Sequence, residues 1–176
     1  IEIAQGSPRN RGSLILKKDL IKYLNPEEPL FRSVYLYDEE AVEYAKSGGL
    51  KNYFGKRSID NIILDIDKAN NTDEFTREKA INIVIELQSY GLDEYAIQCF
   101  FSGSGYHISI PNTAFEFTPS DNIWYQVKST MVKIFPKIDS SIYMRTGIYR
   151  VPHTINKKTN LYKVPITIDE LTNLDV

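Results

Sequence analysis

Apolar positions along the chain recur with two different spacings, and the changes between them mark where strands give way to helices. Asn61-Ile62-Ile63-Leu64-Asp65-Ile66-Asp67 is a short apolar run closed by acids, which predicts a strand over 59–66. A helix follows over about 73–90. Thr72 or Asp73 can cap it, Phe75, Ile81, Val84, Ile85 and Gln88 recur at helical spacing, and Gly91 closes it. Strands over 95–101 and 106–110 are joined by the tight link Ser102-Gly103-Ser104-Gly105, and a second amphipathic helix over 121–135 opens near Ser120. Upstream, 14–24 reads as helical and stops before Asn25-Pro26. Residues 33–37 read as a strand, and 38–46 as a short helix ended by Gly48-Gly49. Short strands over 142–145, 149–151 and 161–166 complete the pattern. The turn-rich, basic stretch 6–13 predicts a flexible arm or a loop. Strands and helices mix without strict alternation and two links read as hairpins, so the fold class is α+β rather than doubly wound.

Composition narrows this picture. A length of 176 residues suits one domain, 1–176, and 42% hydrophobic with 25% charged residues is globular usage. No apolar run approaches the roughly 20 residues that cross a bilayer, and no signal peptide leads the chain, so no membrane partner is expected. Cys99 is the single cysteine, which excludes an internal disulfide, argues against a cysteine-based zinc site and points to a reducing cytoplasm. The chain starts at Ile1, and Thr167-Ile168-Asp169-Glu170 reads as a capping box close to Val176. Both suggest a domain cut from a longer protein. Net charge is only −2, but it is unevenly spread. Asp60, Asp65, Asp67, Asp73, Glu74 and Glu78 face only Lys68 and Arg77 in their stretch. Arg145, Arg150, Lys157, Lys158 and Lys163 share theirs with Asp139 alone. The first stretch suits cations and the second suits phosphates; solvated faces are the plain alternative.

Four blocks carry candidate chemistry. Asp65 and Asp67 stand at i and i+2 of a strand, so both carboxylates emerge on one face and repel unless a cation sits between them. Hard divalent ions prefer such oxygens. A strand end running into solvent is the competing reading. Ser102-Gly103-Ser104-Gly105-Tyr106-His107 offers open backbone N–H groups, hydroxyls and a histidine as phosphate ligand or proton shuttle; a glycine-rich hairpin beside a packed histidine competes. Asp139 is a third carboxylate for a two-metal clamp, or a turn residue. The segment from Arg145 through Tyr149, Arg150, Asn156 and Lys158 to Lys163 alternates cations with aromatics, which suits phosphates and stacked bases. Arg150 and Lys163 lie within apolar strands, where an unpaired charge is costly, so each needs a partner.

Taken in order, an apolar strand ending in D-x-D, then S-G-x-G-x-H, an isolated D and a final R-x-P…N-x-K-T-x-L-x-K-x-P resemble the archaeo-eukaryotic primase superfamily. That group includes primase catalytic subunits and the primase-polymerases of phages, plasmids and mobile elements. The resemblance spans roughly 31–166, and Phe31-Arg32-Ser33-Val34-Tyr35 is similar to the lead-in of viral and plasmid members. It implies a small N-terminal αβ module and an RRM-like sheet module with the active site in the cleft between them. It implies that Asp65, Asp67 and Asp139 are catalytic and bind two Mg²⁺ or Mn²⁺ ions, and that Ser102, Ser104, Gly105 and His107 contact the nucleotide's phosphates. It places Arg150 and Lys163 near triphosphate or template, with Asn156 and Lys158 as further nucleotide contacts. Many relatives carry structural zinc; the lone Cys99 predicts none here. The implied reaction is template-directed addition of a nucleotide to a 3′-hydroxyl, or joining of two nucleotides to begin a primer. Implied partners are single-stranded DNA template, nucleoside triphosphates and a helicase or primer-initiation domain in the same polypeptide, in the cytoplasm of a prokaryotic or virus-infected cell. A metal-dependent nuclease, a non-catalytic RRM-like binding module and an inactive nucleotide-sensing member remain rival readings.

Overall fold

A computed structural model describes residues 1–173; the last three positions of the expected 1–176 domain lie outside the described residues. The N-terminal part is built on strands β1 (Glu2–Gln5) and β2 (Ser13–Leu14), then β3 (Leu30–Ser33). The link 6–12 is not a free arm. Arg11 pairs with the buried Glu2 and donates to the Thr146 carbonyl, and Gly12 N–H donates to Glu2 at 3.1 Å. The helix expected over 14–24 is instead a 3₁₀ helix at Lys17–Tyr23. Leu16 at its start supplies no capping side chain, and the Ile15 carbonyl is held by the N-terminal amino group.

The strand expected over 33–37 breaks at Val34, whose N–H donates to the Gly147 carbonyl. β3 ends there and β4 (Tyr35–Tyr37) pairs instead with β5 (Arg57–Ile59). Between these lies α1 (Glu39–Ala45), capped by Asp38 and closed by Gly48 and Gly49, both at positive φ.

The central sheet begins with β6 (Asn61–Asp67). Ile62, Leu64 and Ile66 are essentially fully buried and alternate with Ile63, Asp65 and Asp67 on the other face. α2 (Asp73–Ser89) follows, with the Thr72 hydroxyl accepting from Phe75 N–H at its start. Its packed face is Thr76, Ala80, Ile83, Val84 and Leu87. Of the expected stripe Val84 is buried on it and Ile81 packs partly buried against the same core, whereas Phe75 and Ile85 are exposed. β7 (Gln98–Phe101) and β8 (Gly105–Pro111) form the expected hairpin, although a 3₁₀ turn at Glu94–Ala96 delays the start of β7. α3 (Ile123–Ile134) then buries Ile123, Val127 and Met131 in the same apolar cluster as α2 and β6.

The strand expected over 142–145 is absent. Asp139 caps a 3₁₀ helix at Ser140–Tyr143, because its carboxylate draws the Ser141 N–H inward. β9 (Ile148–Arg150) pairs with β3, while β10 (Ile155–Asn156) and β11 (Leu161–Tyr162) form a small hairpin. β12 (Val164–Ile166) pairs with β7, and α4 (Ile168–Asn173) opens at the expected Thr167/Glu170 capping box. The result is a mixed α+β fold with sheets ordered β12-β7-β8-β6 and β2-β1-β3-β9, antiparallel throughout. No helix among the described residues is long and apolar enough to cross a membrane. Cys99 lies in the core, where burial pushes its thiol up to about 11.

Candidate functional site

The register of β6 against β8 creates the site. Asp65 lies opposite His107 and Asp67 opposite Gly105. Directly opposed residues share a face, so the pairing that hides Leu64 and Ile66 also sets both acids beside the histidine and the Ser-Gly turn. Gly105 is required at this register: a Cβ there would meet the Ile66 carbonyl.

Asp139 reaches the pair from another element. Its N–H donates to the Asp65 carbonyl at 2.8 Å, which lays the segment after α3 along β6. Its carboxylate accepts from the Ser141 N–H and hydroxyl, each at 2.8 Å. One carboxylate oxygen from each of Asp65, Asp67 and Asp139 lies within 4.8 Å of the others. Asp65 Oδ1 is buried and accepts no hydrogen bond. His107 Nε2 stands 3.5 Å away, beyond hydrogen-bonding range. Burial, then the charges of Asp67 and Asp139, push the Asp65 carboxyl up to about 7. Burial and then Asp139 raise Asp67 as well. A buried oxygen without a donor, among like charges, fits a bound cation, and these three residues could hold a metal ion.

His107 sits between the acids and a buried cation. Lys163 Nζ is 2.9 Å from His107 Nδ1 and donates to the Arg150 carbonyl, also at 2.9 Å. The rings of Phe100 and Tyr149 lie 4.8 and 5.0 Å from the same Nζ. Burial, then the positive charges of Lys163 and Arg150, hold the imidazole well below its usual value, so the contact with Asp65 is not an ion pair. Burial, then Arg150, pulls Lys163 down to about 7.

The 102–105 turn is braced from outside. Ser102 N–H donates to the Gly105 carbonyl at 2.8 Å, and Arg150 donates to the Ser102 carbonyl at 2.7 Å. Gly103 has φ +85°, and a Cβ there would stand 3.2 Å from Asn156 Cβ, the Leu161 carbonyl and Thr159 Oγ1. Asn156 is buried and accepts from the Lys158 N–H, which fixes the β10–β11 hairpin behind the turn.

These groups line a cleft of about 540 Å³, with Asp65, Asp67, Ser102, Ser104, His107, Arg150, Asn156 and Lys158 on its walls. Asp139 borders it through Ser141, and Gly105 lies behind Ser104 in the strand. Lys163 is not on the wall: it is 1% exposed, behind His107. Arg145 turns outward and stacks on Phe54 at 3.8 Å. Arg11 and Ser141 line the cleft without having been singled out as site residues in the sequence. The D-x-S spacing of a side-chain-capped turn could have flagged Ser141; Arg11 arrives by a contact across the fold that no local pattern announces. A larger cavity of about 870 Å³ opens beside the Lys17–Tyr23 helix, β7 and β12. Its walls are mostly apolar and hold no comparable cluster of acids, so the smaller cleft is the candidate site. No protein-family model matches the chain, and no curated protein matches it in sequence.

Proposed function

We propose that this chain carries out template-directed nucleotidyl transfer, joining nucleoside triphosphates on single-stranded DNA as a primase or primase-polymerase domain. The observation that carries the reading is the convergence, in one cleft, of three carboxylates, a Ser/Gly turn with a neutral histidine, and Arg150 with Lys158. The βαββα succession β6-α2-β7-β8-α3 supports an RRM-like module, and the presence of Phe31 of β3 and Tyr149 of β9 among the residues lining the cleft supports a site shared with the N-terminal sheet.

Asp65, Asp67 and Asp139 would hold two Mg²⁺ or Mn²⁺ ions, since an all-oxygen donor set suits hard cations. When bound, such ions make the attacking 3′-hydroxyl more acidic and neutralise the triphosphate and leaving pyrophosphate. The chain itself supplies position. Ser102 and Ser104 offer hydroxyls to phosphate oxygens, the turn offers its backbone N–H groups, and Arg150 and Lys158 bring positive charge to the same wall. His107 adds a neutral donor beside the acids. Catalysis of this kind is mainly orientation and electrostatic stabilisation.

Asp67 is exposed, so its side chain can be removed without a core defect. Incubation with primed single-stranded template and labelled nucleotides should give extension products. Asp67→Ala should reduce them by at least about a hundredfold, the upper end for losing a group that only supports a metal ligand. Labelled DNA alone should remain intact; its cleavage without extension would assign the acids to a nuclease instead.

A further inference from the structure

We infer that Lys163 is a positioning residue that fixes the tautomer of His107, leaving Nδ1 as acceptor and turning Nε2–H toward the cleft as a donor. The inference deepens the nucleotidyl-transfer reading and rests on it only for the identity of what Nε2–H would contact, a phosphate oxygen.

The starting point is a cation in an unusual place. Lys163 is one of the most deeply buried side chains in the molecule, and among the described residues it forms no ion pair. Burial of an ammonium without a carboxylate is costly unless its donors are used. Here they are. The Arg150 carbonyl accepts one at 2.9 Å, His107 Nδ1 lies 2.9 Å from the same nitrogen, and the faces of Phe100 and Tyr149 flank it. The backbone holds the residue in place on both sides: its N–H donates to the Thr154 carbonyl at 3.0 Å and its carbonyl accepts from His153 N–H at 2.7 Å.

Below about pH 7, where Lys163 is an ammonium, it has donors and no acceptor, so the ring nitrogen facing it must accept. In a neutral imidazole the proton then resides on the other nitrogen. That nitrogen, Nε2, is on the side of Asp65, 3.5 Å from an oxygen that accepts no hydrogen bond, and His107 lines the cleft. The register Asp65↔His107↔Phe100 across β6, β8 and β7 explains the alignment: the three side chains stand in one row on one face, Pro165 of β12 is the register partner of Phe100, and Lys163, two residues before it, reaches His107 diagonally across that face. A lysine that merely filled space could be replaced by an apolar side chain of similar length with little effect on the histidine.

The test reads the proton directly. The chain holds two histidines, so ¹⁵N-histidine labelling gives two sets of ring signals. His153→Asn assigns them; His153 has φ +64°, a conformation that asparagine tolerates. The native protein should show His107 protonated at Nε2, with an unprotonated, hydrogen-bonded Nδ1. Lys163→Met should shift the Nδ1 signal toward that of an unbonded nitrogen and weaken dATP–Mg²⁺ binding about tenfold, the loss expected for one charge-assisted contact. Lys163→Arg, which also offers only donors, should restore the Nε2–H form. A native His107 protonated at Nδ1 overturns the inference, and this measurement stands even if Lys163→Met does not fold. An Nδ1 signal and dATP affinity unchanged in Lys163→Met overturn it equally. If the native protein shows Nε2–H and the variant disturbs it while no nucleotide is incorporated, the nucleotidyl-transfer reading falls and the role of Lys163 stands.

Discussion

Asp65 sits at the end of an apolar strand with one oxygen buried and undonated, facing two further acids. Its carboxyl is raised from 3.8 to about 7, so within that window the folded chain holds a proton that the unfolded chain has released. The stability from this group is therefore full below the lower value and is lost as pH rises through the upper one. Metal-free protein should lose stability between pH 3.8 and about 7 in chemical denaturation, and Asp65→Asn should flatten that slope. An unchanged slope in the variant would remove Asp65 as its source. At Gly103 the backbone lies at φ +85° with three groups 3.2 Å from where a Cβ would be. Gly103→Ala should cost about 1–2 kcal/mol in thermal unfolding, the penalty of a left-handed conformation for an L-residue, and should weaken triphosphate binding by displacing the turn. At this scale the pairing of Asp65 with Asp67 was legible in the sequence, because i and i+2 of one strand share a face, whereas the places of His107 and Asp139 beside them come from the β6–β8 register and from the segment laid along β6. The place of Lys163 was not legible either. A charge inside an apolar segment announces that it needs a partner, but the partner lies 56 residues away in sequence.

Among the elements, β6, β7, β8, α2 and α3 were readable from periodicity, and their pairing carries the site. The β6–β8 register depends on Gly105, where a side chain would meet the Ile66 carbonyl. Gly105→Val should therefore cost about 1–3 kcal/mol by overpacking and move Asp67 relative to the turn. A circular-dichroism melt compared with nucleotide binding separates the two effects, and a variant with native stability and native binding would show that this close approach is not needed. Elements were misread where local pattern lost to context. α2 has apolar residues around most of its circumference, so periodicity did not single out the face of Ala80, Ile83, Val84 and Leu87. The segment after Asp139 has strand-like composition, yet the Asp139 carboxylate captures Ser141 and tightens the backbone into a 3₁₀ turn.

At the level of the whole molecule, the two ends of the charge distribution meet. The acids of β6 come from one half of the sequence and Arg150 and Lys158 from the other, and antiparallel pairing brings them to one cleft, with Lys163 buried behind His107. That arrangement explains how a chain of net charge −2 can present both a cluster of acids that could hold a cation and a basic wall beside it. Tyr143 ties the layers together by donating from its hydroxyl to the Ile63 carbonyl, and Arg32 stacks on Tyr149 at the junction of the two larger sheets. A cleft that copies a template must add the nucleotide that the template specifies, so templating is the property to measure. Native protein should be mixed with an unprimed and a primed oligo-dT strand, Mg²⁺ or Mn²⁺, and a single labelled nucleotide. Products should lengthen with ATP or dATP and not with the non-complementary nucleotides, and Asp67→Ala should give none. Folded native protein that yields no product with any nucleotide in either metal, on either strand, would contradict the account.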